Sequence, residues 1–257
     1  SFNEIGKYDI PAELYFIMNK TGLKNVYYVG HSEGSSAGFI AFSSYPDLSQ
    51  KIKAFFALGP VATITHATSP LVTFTQLPQL LMRLLLGCKG VLHYNELIKG
   101  PVTQFCACLG KVCGSIFCYL VGGTIQNMNT SRTDAYSGHY PAGTSVQNVI
   151  HWHQTKQAHK SRDQFQAYDY GCKENMKKYN QTVPPVYKIE EIKIPIAVWS
   201  AGQDTFADPK DMARLLPQIS NLIYHEHFPA WGHLDFLWGL DATEKMYLKI
   251  IELLKKY

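Results

Sequence analysis

The stretch Asn25 to Gly38, NVYYVGHSEGSSAG, constrains the fold more than any other part of the chain. Strand-forming residues at Val26 to Val29 run straight into Gly30-His31-Ser32-Glu33-Gly34, and small residues compatible with a helix follow. A strand that turns sharply into a helix crowds two backbones together. Small residues two before and two after the serine, here Gly30 and Gly34, relieve that crowding. The serine then projects from the turn as a candidate nucleophile, and the helix N-terminus beside it favours developing negative charge. The backbone N–H of Glu33, next in the chain, is placed to donate to an oxyanion. A plain Gly/Ser turn is the competing reading, and the flanking strand and helix patterns weigh against it.

The rest of the chain repeats the strand–helix alternation. Asn25 to Val29 reads as a short buried strand, and Ile52 to Ala62, Ile192 to Asp204 and Asn221 to Phe228 as three more. Helices are expected over Glu13 to Lys20, Ser35 to Phe42, the stretch DMARLLPQI and Thr243 to Lys255. Such alternation predicts an α/β fold with a mostly parallel sheet. His66 to Gln164 breaks the pattern with helical and loop signals, as an inserted helical cap would. Three regions follow: 1–65, a partial core with the serine turn; 66–185, the mainly helical cap or lid; and 186–257, the C-terminal part of the core. The apolar stretch Leu71 to Leu86 is expected either to cover the site with an exposed apolar face or to be ordinary cap core.

A nucleophilic serine needs a base, and the base needs an acid to fix its tautomer. In α/β-hydrolases these follow in the order Ser, Asp/Glu, His. Asp204 lies just past the strand ending IAVWSAGQ, and His233 lies between the last strand and the last helix. Asp208, the competing acid, is expected to cap the next helix. His225 and His227 sit in or at the end of a strand and read as structural, and His31 as packing at the turn. Asp235 is read as structural or as supporting the loop of His233. His151 and His153, in HWHQ, have no evident third ligand, so no metal is expected. No organic cofactor is needed either.

Composition narrows the partners. Charged residues make up 17% and hydrophobic residues 46%, which argues for a packed core and against disorder. A net charge of +4 without a basic, aromatic-interleaved stripe argues against nucleic acid. Phe105 to Gly123 comes nearest to a membrane span, but Lys111, glycines and cysteines dilute it. No transmembrane segment is expected, and a buried or lipid-facing helix is preferred. Asn19, Asn129 and Asn180 begin glycosylation triplets in form. The six cysteines (Cys88, Cys106, Cys108, Cys113, Cys118, Cys172) are compatible with a disulfide and do not resemble a paired zinc motif. The first residues lack the basic and apolar regions of a signal peptide and have no initiator Met.

Along nearly its whole length the chain resembles the acid lipase family. The stretches that carry this are SFNEIGKYDIPA, YYVGHSEGSSAGFIAFSSYPDLSQKIKAFFALGPVA, NMNTSR, PAGTSVQNVIHWHQ, FQAYDYG, IPIAVWSAGQDTFADP, NLIYHE and HLDFLWGLDA. FALGPVA and HLDFLWGLDA lean toward the lysosomal branch rather than the gastric one. The resemblance implies an α/β-hydrolase fold with Ser32 as nucleophile, Asp204 as acid and His233 as base. It implies hydrolysis of neutral lipid esters at a lipid–water interface, triacylglycerols and cholesteryl esters among them, at acidic pH. It also implies a glycosylated protein of the lysosome or the secreted route. The alternatives are a catalytically silent lipid-binding or interaction protein on the same fold, and a general carboxylesterase. Oligomeric state is not legible.

Three departures from the family pattern bear on function. Glu33 stands where the family usually has Gln, and a carboxylate pointing inward would oppose the oxyanion. The cap cysteines are spaced differently; Cys113 resembles a family position, which implies Cys106 as its partner. The family's sheet begins well before the nucleophile strand, whereas residues 1–25 read as helix and loop. The N-terminal strands are therefore missing, with the His-Gly segment that supplies the second oxyanion N–H. The expectation is a partial chain that lacks part of the sheet and one oxyanion donor, which leaves its own folding and ester turnover open.

Overall fold

A computed structural model describes residues 1–87, 89–92, 96–157 and 164–257. Cys88 lies outside the described residues. Four parallel strands form the main sheet: β1 (Val26–His31), β2 (Ile52–Leu58), β3 (Ile196–Ala201) and β4 (Leu222–Phe228), side by side in that order. Register runs Gly30 to Ala57, Ala57 to Val198 and Ser200 to His227. Parallel strands need long connections that return over a face of the sheet, and helices supply them here. β2 and β3 are interior, apolar and almost wholly buried, as strands covered on both faces must be.

β1 differs from its sequence reading. It extends two residues further, to His31, and it is not buried. It pairs only with β2 among the described residues, and Val29 is 51% exposed. Apolar composition reports the wish to be buried; position in the sheet depends on partners elsewhere in the chain.

The two faces have separate cores. One gathers Phe39, Ile40, Phe55 and Val198 beneath the helices Ile10–Thr21, Glu33–Ser44 and Pro209–Leu215. The other gathers Phe56, Trp199, Phe236 and Met246 against the helix Leu248–Lys256. Helix ends follow the local chemistry. Pro11 sits in the first turn of Ile10–Thr21, and Gly22 closes it with φ 72°, its N–H donating to the Met18 carbonyl. Asp208 accepts from Lys210 N at 2.8 Å and so caps Pro209–Leu215.

Residues 59–195, between β2 and β3, hold helices, loops and one pair of two-residue strands, Gly90–Val91 with Thr144–Ser145. The segment is not a free-standing lid. Val72, Phe165 and Ala167 join the core under the main sheet, while Met82, Val146, Ile150 and Tyr168 form a small core of their own. The apolar stretch near Phe105 is not one helix. Glu96–Cys108 ends at Leu109, Gly110–Phe117 begins after it, and the segments Leu97–Cys108 and Gly110–Gly122 meet at 113°. No single helix among the described residues is long and apolar enough to cross a membrane. A disulfide joins Cys106 to Cys113 across that bend.

Candidate active site

Ser32 occupies the turn between β1 and the helix Glu33–Ser44 with φ 56° and ψ −122°. A non-glycine residue there is strained, and the strain persists because the surroundings hold it. Ser32 N donates to the Leu58 carbonyl at 3.0 Å, and Ser35 Oγ donates to the Gly30 carbonyl at 2.6 Å. The two flanking glycines are not equivalent. A Cβ on Gly30 would lie 2.8 Å from the backbone of Gly34 and Ser35, whereas one on Gly34 meets nothing within 4 Å. The crowding that demands a small residue acts on the strand side only.

The other two residues converge on the serine from neighbouring strand ends. Asp204 follows β3 and is 3% exposed; His233 follows β4 and is 2% exposed. His233 Nε2 lies 2.7 Å from Ser32 Oγ, and His233 Nδ1 lies 2.8 Å from Asp204 Oδ2. Asp204 Oδ1 accepts from the backbone N–H groups of Phe206 and Ala207, both at 2.8 Å. With Asp204 accepting at Nδ1, the imidazole keeps Nε2 free to take the serine proton.

The base loop has its own supports. His31 Nε2 donates to the His233 carbonyl at 3.0 Å. Burial first, then the neighbouring His233 ring, pushes His31 down to about 3, so it stays neutral and acts as a spacer. Asp235 accepts from Gly232 N at 2.6 Å, Asn127 Nδ2 at 2.9 Å and Thr124 N at 3.1 Å, tying the loop to residues 124–127. Burial raises its carboxyl above the usual range despite these donors. Leu234 N donates to the Gly122 carbonyl at 2.8 Å. The sequence singled out Asp235 but gave residues 122–127 no part in the site, because their role depends on contacts across more than a hundred residues.

Glu33 does not point at the serine's reaction space as a bare charge. Its carboxylate accepts from Asn148 Nδ2 at 2.8 and 3.0 Å and from Trp152 Nε1 at 2.7 Å. Its backbone N–H lies in the first turn of a helix, where no intrahelical acceptor exists. Beside Ser32 opens a cavity of about 740 Å³, lined by apolar residues such as Leu71, Phe74, Leu86, Val149 and Phe206. On the helix Gln79–Leu86 only Met82 is buried; Leu80 and Leu84 are 72% and 74% exposed. That stretch is therefore an outward-facing apolar ridge more than cap core.

The remaining candidates lie apart from the serine. His225 Nε2 and His227 Nδ1 each lie 2.9 Å from Ser200 Oγ. His151 stacks on Phe2 with ring centroids 3.7 Å apart, and His153 Nδ1 donates to the Thr75 carbonyl. Among the described residues no cluster of three metal-binding side chains occurs. Asn19 and Asn180 are exposed; Asn129 is half-buried and accepts from Ser131 Oγ at 2.7 Å.

A family model described as the alpha/beta hydrolase fold matches residues 3–240. The chain belongs to the α/β hydrolase family. Lipases are among the relatives it resembles. It is 48% identical over 260 residues to lysosomal acid lipase/cholesteryl ester hydrolase of Homo sapiens, covering 100% of this chain and 64% of that protein. It is 43% identical to gastric triacylglycerol lipase of Rattus norvegicus, covering 99% and 64%. The chain thus spans 64% of the length of these relatives. A soluble variant of monoglyceride lipase from Saccharomyces cerevisiae superposes with a TM-score of 0.53 at 13% identity, covering 99% of this chain and 68% of that one, a likeness of fold alone.

Proposed function

We propose that this chain hydrolyses carboxylic esters of neutral lipids, triacylglycerols and cholesteryl esters among them, through Ser32, His233 and Asp204. One observation carries the reading: a single buried imidazole lies within hydrogen-bond reach of the elbow serine on one side and of a buried carboxylate on the other. Two relatives whose names state lipid ester hydrolysis support the substrate class. The apolar cavity beside Ser32 and the exposed leucines of Gln79–Leu86 suit a long acyl chain drawn from a lipid surface.

The reaction is acyl transfer. His233 Nε2 takes the proton of Ser32 Oγ as the oxygen attacks the ester carbonyl. Asp204 orients the ring and stabilises its charged form. The oxyanion forms beside the Glu33 N–H, at a helix N-terminus. The tetrahedral adduct collapses, His233 gives its proton to the departing alcohol, and a fatty acyl ester remains on Ser32. Water, deprotonated by His233, attacks that ester and releases the fatty acid. The names of the relatives favour a lysosomal or secreted setting, and the exposed Asn19 and Asn180 would then be open to glycans.

Treatment with a fluorophosphonate at pH 5 and pH 7, followed by mass spectrometry, tests the assignment. Label on Ser32 that is lost in Ser32→Ala and His233→Ala is the expected result. Lipid binding without label, in this chain and in a version extended upstream, refutes the hydrolase reading and leaves a silent lipid binder.

A further inference from the structure

Glu33 deepens this reading, because its carboxylate joins the nucleophile elbow to the cap. Both of its oxygens face donors on one helix, Val146–Gln157. Asn148 Nδ2 donates to both, and Trp152 Nε1 donates to Oε2. Asn148 and Trp152 are four residues apart, so they share a helix face. Asn148 is buried and its orientation is fixed by its other partners. Its Oδ1 accepts from Phe2 N at 2.6 Å, and Nδ2 also donates to Thr144 Oγ1 at 3.1 Å. Turning the amide over would set its NH2 against the Phe2 N–H. The helix therefore presents donors only, and the matching group is one that only accepts, which a carboxylate does and a neutral amide does not.

The consequence lies in the cavity. Trp152 and Glu33 both line it beside Ser32, and Phe2 backs Trp152 with ring centroids 4.4 Å apart. An indole held by its N–H at one edge and by an aromatic ring behind it has little freedom to swing. We propose that Glu33 is a positioning residue: its carboxylate fixes Trp152 as a wall of the acyl cavity and so sets how well a long acyl chain is held next to Ser32. The interaction is a hydrogen bond to a charged group, the stronger kind. Glutamine at position 33 would keep an oxygen where Oε2 stands but would aim its NH2 at Asn148 Nδ2.

The test uses two readouts on the wild type, Glu33→Ala, Trp152→Phe, the double variant and Glu33→Gln. The first is affinity for cis-parinaric acid, a fluorescent long-chain fatty acid that requires no serine chemistry. The second is the rate of Ser32 labelling by dodecyl against ethyl fluorophosphonate. Glu33→Ala is expected to weaken parinaric acid binding about tenfold, the equivalent of one hydrogen bond to a charged group. The ratio of dodecyl to ethyl labelling should fall by a similar factor, because only the long chain uses the wall. Trp152→Phe should show the same selective loss, the double variant no more than Glu33→Ala alone, and Glu33→Gln a partial rescue. Unchanged parinaric acid affinity in Glu33→Ala, or multiplying effects in the double variant, overturns the proposal. A wild type that binds parinaric acid but takes no label, in this chain and in a version extended upstream, overturns the hydrolase reading and leaves the positioning role to be decided by binding alone.

Discussion

The two glycines of the elbow offer a sharp test, because sequence treats them alike and the structure does not. In Gly30→Ala the new Cβ would lie 2.8 Å from Gly34 C, Gly34 O and Ser35 N. Comfortable contact needs about 3.5 Å, so the strand and the helix must part by about 0.7 Å or more. All three opposing atoms are backbone, so no side chain can swing aside. Overpacking of this kind costs about 1–3 kcal/mol. For a chain of this size that lowers Tm by about 2–12 °C. The displacement falls on Ser32, whose Oγ sits 2.7 Å from His233 Nε2. A misplacement near 1 Å costs on the order of 10² in rate. Gly34→Ala meets nothing within 4 Å and lies in the helix Glu33–Ser44. It should leave labelling unchanged and gain up to about 1 kcal/mol of helix stability. Thermal unfolding and the fluorophosphonate labelling rate are measured on both variants. Equal losses in the two, or wild-type labelling in Gly30→Ala, would refute the reasoning.

Other consequences can be measured alongside. Asp204→Asn keeps the shape but sets an NH2 or the wrong tautomer at His233 Nδ1; labelling of Ser32 should fall by about 10⁴, read from its rate constant. Burial holds both His31 and His151 down to about 3 when folded, against an unfolded value of about 6.5. The unfolded chain therefore binds these protons first, and stability is lost as pH falls from about 6.5 toward 3. The slope is up to about 1.4 kcal/mol per pH unit for each histidine. Urea midpoints across that range should show it, with a shallower slope in His31→Gln; a flat profile contradicts the burial argument. Reducing the Cys106–Cys113 disulfide removes a short-loop constraint worth about 2 kcal/mol in the chain-entropy account. A Tm drop of about 4–8 °C under reductant is expected, absent in a Cys106→Ala, Cys113→Ala protein.

Sequence made the elbow legible because it is local: strand, turn and helix follow within Val26 to Ser44. Asp204 and His233 were also readable, since each sits just past an apolar strand. The environment of Glu33 was hidden, because its partners Asn148 and Trp152 lie more than a hundred residues away. Their i, i+4 spacing was the available signal, and HWHQ drew notice to its histidines instead. The bend at Leu109 was missed because hydropathy averages over it. At Gly110 a Cβ would come 2.3 Å from the Thr130 carbonyl, a close approach that composition does not reveal. The edge position of β1 was legible only through the resemblance to a family whose sheet begins before the nucleophile strand, because pairing is a property of the whole sheet.

In these 257 residues taken alone, that edge position has a kinetic meaning. Of the strands carrying the three reacting side chains, β3 is paired on both sides, while β1 and β4 are each paired on one among the described residues. Outward amides of β1 have no ladder partner there and should exchange with deuterium early. A local opening of β1 carries Ser32 away while Asp204 and His233 stay bonded to each other, in a loop that Leu234 and Asp235 tie to residues 122–127. Inactivation on warming would then precede unfolding and reverse on cooling, with the acid–base pair waiting intact for its nucleophile to return.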